Sequence, residues 1–394
     1  MASRIYLDYA TNTPVDRRVL SVFTKTARIL GNPSSIHTEG VLAKKILEDA
    51  RTRVARALHA HADEVRFTQS ATYALSATIQ GCIAAYVKEH AVVPHIVSTS
   101  IEHSAIVETL KKLQESGEIS LTLVDPEQDG RVAVSKVMGA ITEQTVLVIC
   151  MQVNNETGAV QPVAKIGKEL RKLKSAEETL REYPYLLVDS SQAPGFFAVT
   201  QDELCADLLV IDAHKIYGLA GSAALYIRRG VKCESQYQGG GQEYSLFSGT
   251  ESIAQAQALA CALERAVDKR EKRYARVASI KKYCEDEIRK NVSEVVFNGE
   301  TVSTSPHILN ISLPGIDTEY LVLWLDARGV ALSTKSACAH AKRVSHVVYA
   351  MSKDEKRAGS TLRVSFSKDT SKRHISRFVR LVGEFITSRG LVVG

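Results

Sequence analysis

Between Val65 and Ile227, short and almost unbroken apolar runs alternate with stretches whose apolar residues recur every three or four positions. The runs Val65–Thr68, Ile96–Ser100, Leu121–Val124, Val146–Met151, Leu186–Asp189, Leu208–Asp212 and Ala223–Ile227 predict strands, and Ile106–Leu113 and Ile166–Leu173 predict helices between them. Strands without a polar side must be covered on both faces, which predicts an α/β fold on a mostly parallel seven-stranded sheet. Ligands of such sheets bind beyond the carboxyl ends of the strands, marked here by Thr68, Ser100, Met151, Asp189 and Asp212.

The flanking regions read differently. Ile5–Asp8 predicts a strand, Asn12–Val15 a turn and Gly31–His37 a turn-rich loop. Leu42, Ile46, Ala50, Val54 and Leu58, widened by Val41 and Leu47, predict a helix facing the core. After Gly239–Gly241 a long helical pattern runs from about Ser252 into the 280s, with a break. Strand Ile308–Leu313, helix Thr318–Ala327, loop Ser333–Lys342, strand Thr361–Ser365 and a helix over about His374–Thr387 follow. The expected organisation is a large domain over 15–255 and a smaller α+β domain over 256–394, onto which residues 1–14 pack.

Composition narrows the function. The 394 residues are 45% hydrophobic and 24% charged, ordinary for a globular protein. The net charge of +6 is dispersed among acidic residues, as in Lys269–Ala275, so direct nucleic-acid binding is not indicated. Seven cysteines lie without C-x-x-C spacing, which predicts a reducing compartment and no cysteine-built metal site. The first strand starts at Ile5 and no apolar run reaches membrane-spanning length, so no targeting peptide and a cytoplasmic location without membrane contact are expected.

Candidate chemistry gathers at the strand ends. Lys215 follows strand Leu208–Asp212, where an amine is costly unless paired, deprotonated or covalently used. Asp189 ends another apolar strand and calls for a cationic partner such as a protonated pyridine nitrogen. Gln192 is within reach of a ring oxygen, His103 can stack on a planar ring and shuttle protons, and Asn155 follows a third strand. The small and hydroxylated residues of Thr68–Leu75, with Ala71 and Thr72 opening a helix, suit a phosphate. Singly these are equally a solvated lysine, a helix cap, a surface histidine and a turn; jointly they describe a pyridoxal phosphate site without a metal. Cys338 sits among small polar residues with Lys335, His340 and Lys342, a setting for an exposed nucleophilic thiolate or an incidental cysteine. Arg363, inside a strand pattern, suits bidentate capture of a carboxylate or a surface position.

With these residues in place the chain resembles cysteine desulfurases of the NifS/IscS type, in the class V aminotransferase family of fold type I pyridoxal-phosphate enzymes. The resemblance runs through YLDYATNTP at Tyr6–Pro14, NPSSIH at Asn32–His37, FTQSATYA at Phe67–Ala74, IEH at Ile101–His103 and NNETG at Asn154–Gly158. It continues through VDSSQ at Val188–Gln192, AHKIYG at Ala213–Gly218, GGGQE at Gly239–Glu243, SGT at Ser248–Thr250, SAC at Ser336–Cys338 and LRVSFS at Leu362–Ser367. It implies that Lys215 forms the Schiff base with the cofactor, Asp189 pairs the pyridine nitrogen, and Gln192 and Asn155 approach the ring oxygen or substrate amine. It implies that His103 stacks on the ring, Thr72 and His214 hold the phosphate, and Thr250 reaches the phosphate of a neighbouring subunit in a homodimer. Arg363 and Asn155 would fix the carboxylate of L-cysteine, which passes through aldimine and ketimine forms to L-alanine while its sulfur becomes a persulfide on Cys338. An iron–sulfur scaffold or a tRNA-thiolation enzyme would then accept the sulfur.

Four positions depart from the family pattern. Asp212 stands at a phosphate-binding position that usually holds serine or threonine, Tyr244 and Phe247 replace arginines that line the entrance, and Lys335 replaces a glycine. They imply altered tuning and partners. The alternatives are a selenocysteine lyase, another pyridoxal-phosphate lyase or aminotransferase, or a low-activity homologue that mainly binds a partner.

Overall fold

The computed structural model describes residues 4–175, 182–299, 303–334 and 344–388. Its strands are β1 (Ile5–Tyr6), β2 (Val65–Thr68), β3 (His95–Thr99), β4 (Ser120–Val124), β5 (Thr145–Ile149), β6 (Tyr185–Asp189), β7 (Leu208–Asp212), β8 (Ala223–Ile227), β9 (Val296–Phe297), β10 (Ile308–Ser312), β11 (Val330–Ala331) and β12 (Thr361–Ser365). Strands β2 to β8 form one sheet in the order β2-β8-β7-β6-β5-β3-β4. Strand β8 is antiparallel to both neighbours and the other pairs are parallel, so β2 points the same way as β7. The ends at Thr68, Thr99, Ile149, Asp189 and Asp212 therefore share one edge, and Thr68 and Asp212 flank the same residue, Ala223.

The apolar runs form central strands because successive side chains are divided between two buried layers. Leu186, Val188, Leu209 and Ile211 face one core with helices Thr38–Leu58 and Ile253–Asp268, while Tyr185, Leu187, Leu208 and Val210 face the other with helix Ala71–His90. The second unit carries the antiparallel sheet β12-β10-β9. Its core joins helices Arg270–Asn291, Thr318–Asp326 and Lys372–Ser388 to Ile5 and Leu7 from the start of the chain. The predicted break in the long helix falls at Lys269, between Ile253–Asp268 and Arg270–Asn291.

One helical face differs from expectation. In helix Thr38–Leu58 the buried stripe is Ala43, Leu47, Ala50, Val54 and Leu58, whereas Val41 and Leu42 are 59% and 47% exposed. The stripe follows the contact with helix Ile253–Asp268, and the apolar first turn extends beyond it. With Leu30 and Ile36, 78% and 97% exposed, that turn belongs to an apolar surface at the start of the chain.

Among the described residues no helix is long and apolar enough to cross a membrane, and no cluster of three His, Cys, Asp or Glu side chains could hold a metal ion.

Candidate active site

At the end of β7 the chain turns tightly through Ala213–Lys215. The Thr13 hydroxyl donates to the His214 carbonyl at 2.7 Å and accepts the Tyr217 amide at 2.8 Å, clamping this turn to the start of the chain. Gly218 is required here, because a Cβ would stand 2.7 Å from the Ala213 carbonyl oxygen. The turn aims Lys215 into a cavity of about 240 Å³ lined by Ala71, Thr72, His103, Asn155, Asp189, Gln192, Asp212, His214 and Arg363. Nine side chains proposed from separate stretches of sequence thus line one cavity with Lys215.

The Lys215 amine donates to the carbonyl oxygens of Ala10 and Thr11 at 2.8 and 2.7 Å. Burial, then the nearby Arg363 charge, lowers its pKa to about 8, against the pull of Asp212, Asp189 and Asp8. About half of the amine is therefore neutral at pH 8, where an ordinary lysine is almost wholly charged. Asp189 is 8% exposed, and its Oδ1 accepts the amide and hydroxyl of Ser191 at 2.9 and 2.6 Å, leaving Oδ2 for a cation.

At the other end of the cavity, helix Ala71–His90 begins. Its Ser70 cap takes the Tyr73 amide, while the Ala71 amide donates to Asp212 Oδ2 at 2.9 Å. Asp212 Oδ1 also pairs with Nδ1 of His214. Burial acts to raise the pKa of Asp212, but these hydrogen bonds and the His214 charge win and lower it, so it stays a carboxylate. The Ala71 amide, expected to be open to a phosphate, is thus already engaged. Thr72 and His214 remain beside a helix N-terminus that favours an anion.

Arg363 is 2% exposed and binds Asp8 Oδ1, the Thr11 hydroxyl and the Asn155 carbonyl oxygen at 2.9, 2.6 and 2.8 Å, which leaves its buried Nε without a partner. It is not a surface arginine, and a donor in that state suits a carboxylate. His103 caps helix Ser104–Glu115 by accepting the Ala105 amide on Nδ1 at 3.2 Å, which assigns the hydrogen of a neutral ring to Nε2. The neighbouring buried Glu102 ties the end of β3 to the second residue past β5, accepting the Thr99 hydroxyl at 2.6 Å and the Met151 amide at 2.8 Å.

Thr250 lies outside this cavity, at a separate pocket of about 450 Å³ with Thr68, Gln69 and Ser222. Phe247 is buried against Tyr73, with ring centroids 5.5 Å apart, and so is not at an entrance, while Tyr244 is half exposed under the Arg66 guanidinium at 3.7 Å. Cys338, Lys335, His340 and Lys342 lie outside the described residues.

Sequence reasoning missed the Ala10 and Thr11 carbonyls and Asp8, although the segment Tyr6–Pro14 that carries them was singled out. It also missed His307, whose Nε2 lies 3.0 Å from Gln192 Oε1, and the buried pair of Arg51 with Glu243.

An ionisable amine, an opposed carboxylate, an anion cup and a carboxylate-seeking arginine in one cavity fit a phosphorylated pyridine aldehyde and an amino acid. Comparison with known proteins agrees. The profile of the family Aminotransferase class-V matches residues 5–378. A putative cysteine desulfurase IscS 1 of Bacillus subtilis (strain 168) is 33% identical over 386 residues, 97% of this chain and 98% of its own. Among solved structures, a NifS-like protein superposes with a TM-score of 0.87 at 28% identity over 98% of this chain and all of that one. The structure of SspA in complex with cysteine gives 0.79 at 26% identity, covering 93% of this chain and 100% of that one.

Proposed function

Because the chain belongs to the class-V aminotransferases, and among them to the cysteine desulfurases of the NifS/IscS type, we propose that the cavity around Lys215 is where L-cysteine is cleaved and that Cys338 receives its sulfur. The protein is a pyridoxal-phosphate-dependent enzyme that yields L-alanine and persulfide sulfur. When bound, the cofactor supplies an aldehyde for amines and a pyridinium ring that takes up an electron pair from Cα. The residues to hold it are Lys215 at the aldehyde, Asp189 at the ring nitrogen, His103 on the ring face, Gln192 at the ring oxygen, and Thr72 with His214 at the phosphate.

The chain's own groups do the rest. Arg363 and Asn155, in direct contact, hold the carboxylate of cysteine. Lys215, neutral for part of its time at working pH, takes the Cα proton. The Cys338 thiolate attacks the substrate sulfur; a sulfur–sulfur bond forms, the Cβ–S bond breaks, and the electron pair left on Cβ is protonated to give alanine. His103 moves the proton of the substrate thiol. Cysteine and a thiol thus become alanine and a persulfide without an outside oxidant.

The anchors of segment 335–343 support this role for Cys338. Before it, Arg363 donates its amide to the Ser333 carbonyl at 2.7 Å and the Thr361 hydroxyl donates to the Thr334 carbonyl at 2.7 Å. After it, Ser345 donates to Glu156 and His346 meets the Glu102 carbonyl at 3.1 Å. The segment leaves and re-enters beside Arg363, Asn155 and His103, and four residues past Thr334 reach at most about 14 Å. A homodimer in which Thr250 of each protomer serves the other's phosphate end accords with its place outside its own cavity and with the exposed Leu30, Ile36, Val41 and Leu42. The persulfide is passed to an iron–sulfur scaffold or a tRNA-thiolation enzyme.

The observation that carries this reading is the buried Lys215 amine in one cavity with Asp189. It is tested by the visible spectrum of the purified protein with pyridoxal 5'-phosphate, before and after L-cysteine, and by the mass of the Cys338 peptide. A colourless Lys215→Ala and a coloured but alanine-silent Cys338→Ser carrying no added sulfur are expected. A Cys338→Ser protein that makes alanine at the original rate overturns the acceptor, and a wild type that stays colourless overturns the site.

A further inference from the structure

Gln192 is held from outside the cavity by a residue that no sequence motif includes. His307, buried just before β10, has Nε2 3.0 Å from Gln192 Oε1 and Nδ1 2.6 Å from the Ser305 hydroxyl. Its ring lies flat on Phe196, with centroids 4.3 Å apart and planes 3° from parallel. Gln192 Nε2 in turn donates to the Ala10 carbonyl oxygen at 2.9 Å, the same oxygen that accepts the Lys215 amine at 2.8 Å.

Each orientation in this line follows from the one before. A carbonyl oxygen only accepts, so the Gln192 atom facing Ala10 is the NH2 nitrogen and the one facing His307 is the oxygen. That oxygen also only accepts, so His307 carries its hydrogen on Nε2, and Nδ1 accepts from Ser305. Burial, and then the charges of Lys281, Arg363 and Lys215 that face it, lower the His307 pKa to about 3, so the ring is neutral at working pH. The second hydrogen of Gln192 Nε2 has no acceptor among the described residues, and Gln192 lines the cavity.

Resting on the reading of the cavity given above, we propose that His307 is a positioning residue: it locks the amide of Gln192 so that an N–H, not the carbonyl oxygen, faces the ring oxygen of the bound cofactor. Turning the amide over would set Oε1 against the Ala10 oxygen and NH2 against the His307 N–H, losing both hydrogen bonds at once. The lock also fixes the oxygen that holds Lys215, so ring oxygen and amine are registered against one carbonyl. A donor at the ring oxygen stabilises its anionic form and lowers the pH at which the visible band of the cofactor-loaded protein titrates.

The test uses His307→Phe, which keeps a ring against Phe196 but cannot donate, and His307→Gln, which can donate. Each is made with Gln192 intact and in a Gln192→Ala background, and folding is checked by circular dichroism. Two quantities are read: the pH midpoint of the visible band, and the dissociation constant of pyridoxal 5'-phosphate by equilibrium dialysis. With Gln192 intact, His307→Phe should raise the midpoint by about 0.7 and weaken cofactor binding about fivefold, the effect of one hydrogen bond, and His307→Gln should recover most of both. In the Gln192→Ala background His307→Phe should add nothing. An unchanged midpoint and affinity in His307→Phe, or equal effects in both backgrounds, would overturn the proposal; if that variant does not fold, His307→Asn, too short to reach Gln192, takes its place with the same two outcomes. A wild type that forms no visible band defeats the reading of the site instead.

Discussion

Replacing Glu243 by alanine should cost the fold about 4 kcal/mol, as the sum of two terms. The carboxylate and the Arg51 guanidinium are almost wholly buried, and the two oxygens accept Nη1 at 2.7 Å, Nη2 at 2.9 Å and the Phe67 amide at 2.7 Å. Arginine does not shed its charge, so alanine leaves a buried cation short of its partner, a loss of about 3–5 kcal/mol. Arg51 keeps Glu48 at 3.1 Å and the Val65 carbonyl at 2.8 Å, which sets this term near 3. The stranded Phe67 amide adds about 1 kcal/mol. The pair also pins Glu243, Tyr244 and Ser245 at φ of 47°, 56° and 64°, left-handed backbone that L side chains avoid, so the loop leading to Thr250 should become protease-sensitive in the variant. Urea unfolding followed by circular dichroism, with limited proteolysis, reads both effects. Arg51→Met combined with Glu243→Leu should restore most of the stability, since an apolar pair of similar volume replaces the ion pair at little cost. A loss below about 1 kcal/mol in Glu243→Ala would refute the reasoning, because the pair would then behave as an exposed one.

Three further outcomes follow from the cavity. The rate at which pyridoxal 5'-phosphate develops its visible band should rise with pH through about 8 and level off above it, because only the neutral Lys215 amine reacts; a rise centred near the ordinary lysine value would mean that burial does not act on this amine. Arg363→Lys cannot hold Asp8, Thr11 and Asn155 together and offer a further donor, so KM for L-cysteine should rise roughly 10- to 100-fold with cofactor binding kept; an unchanged KM would remove Arg363 from substrate binding. Asp212→Ser should tighten cofactor binding in equilibrium dialysis by about tenfold, roughly 1.4 kcal/mol, by removing a carboxylate from the anion cup. Equal or weaker binding would mean that Asp212 helps instead, by holding the His214 ring in place through Nδ1.

The sheet was legible because buried central strands are continuous apolar runs. Val65–Thr68, Leu208–Asp212 and Ala223–Ile227 match the structure residue for residue, and the other four strands of the sheet match within two. The two-residue strands β9 and β11 were not, since so short a run has no period. Lys215 and Asp189 could be read from sequence because each ends an apolar strand, where a charge is conspicuous. The carbonyls of Ala10 and Thr11 could not, as a main-chain acceptor leaves no side-chain trace. The partner of Gln192 lies 115 positions away, and nothing local marks His307. Phe247 stands where the family pattern has an arginine, and an aromatic ring in that place turns inward to Tyr73.

The order in which the polypeptide is made bears on when the enzyme can become active. The two carbonyls that steady Lys215 belong to residues 10 and 11, and that segment is seated by Leu7 on Ala331 and Ser365 and by Ala10 on the Ser365 hydroxyl. Leu7 and Ala10 therefore wait for partners that are made much later, Ser365 lying 355 positions after Ala10. A nascent chain can complete its large sheet, yet its lysine stays without a cradle until β12 has emerged, so cofactor capture follows the making of β12 and not of the sheet that carries the lysine.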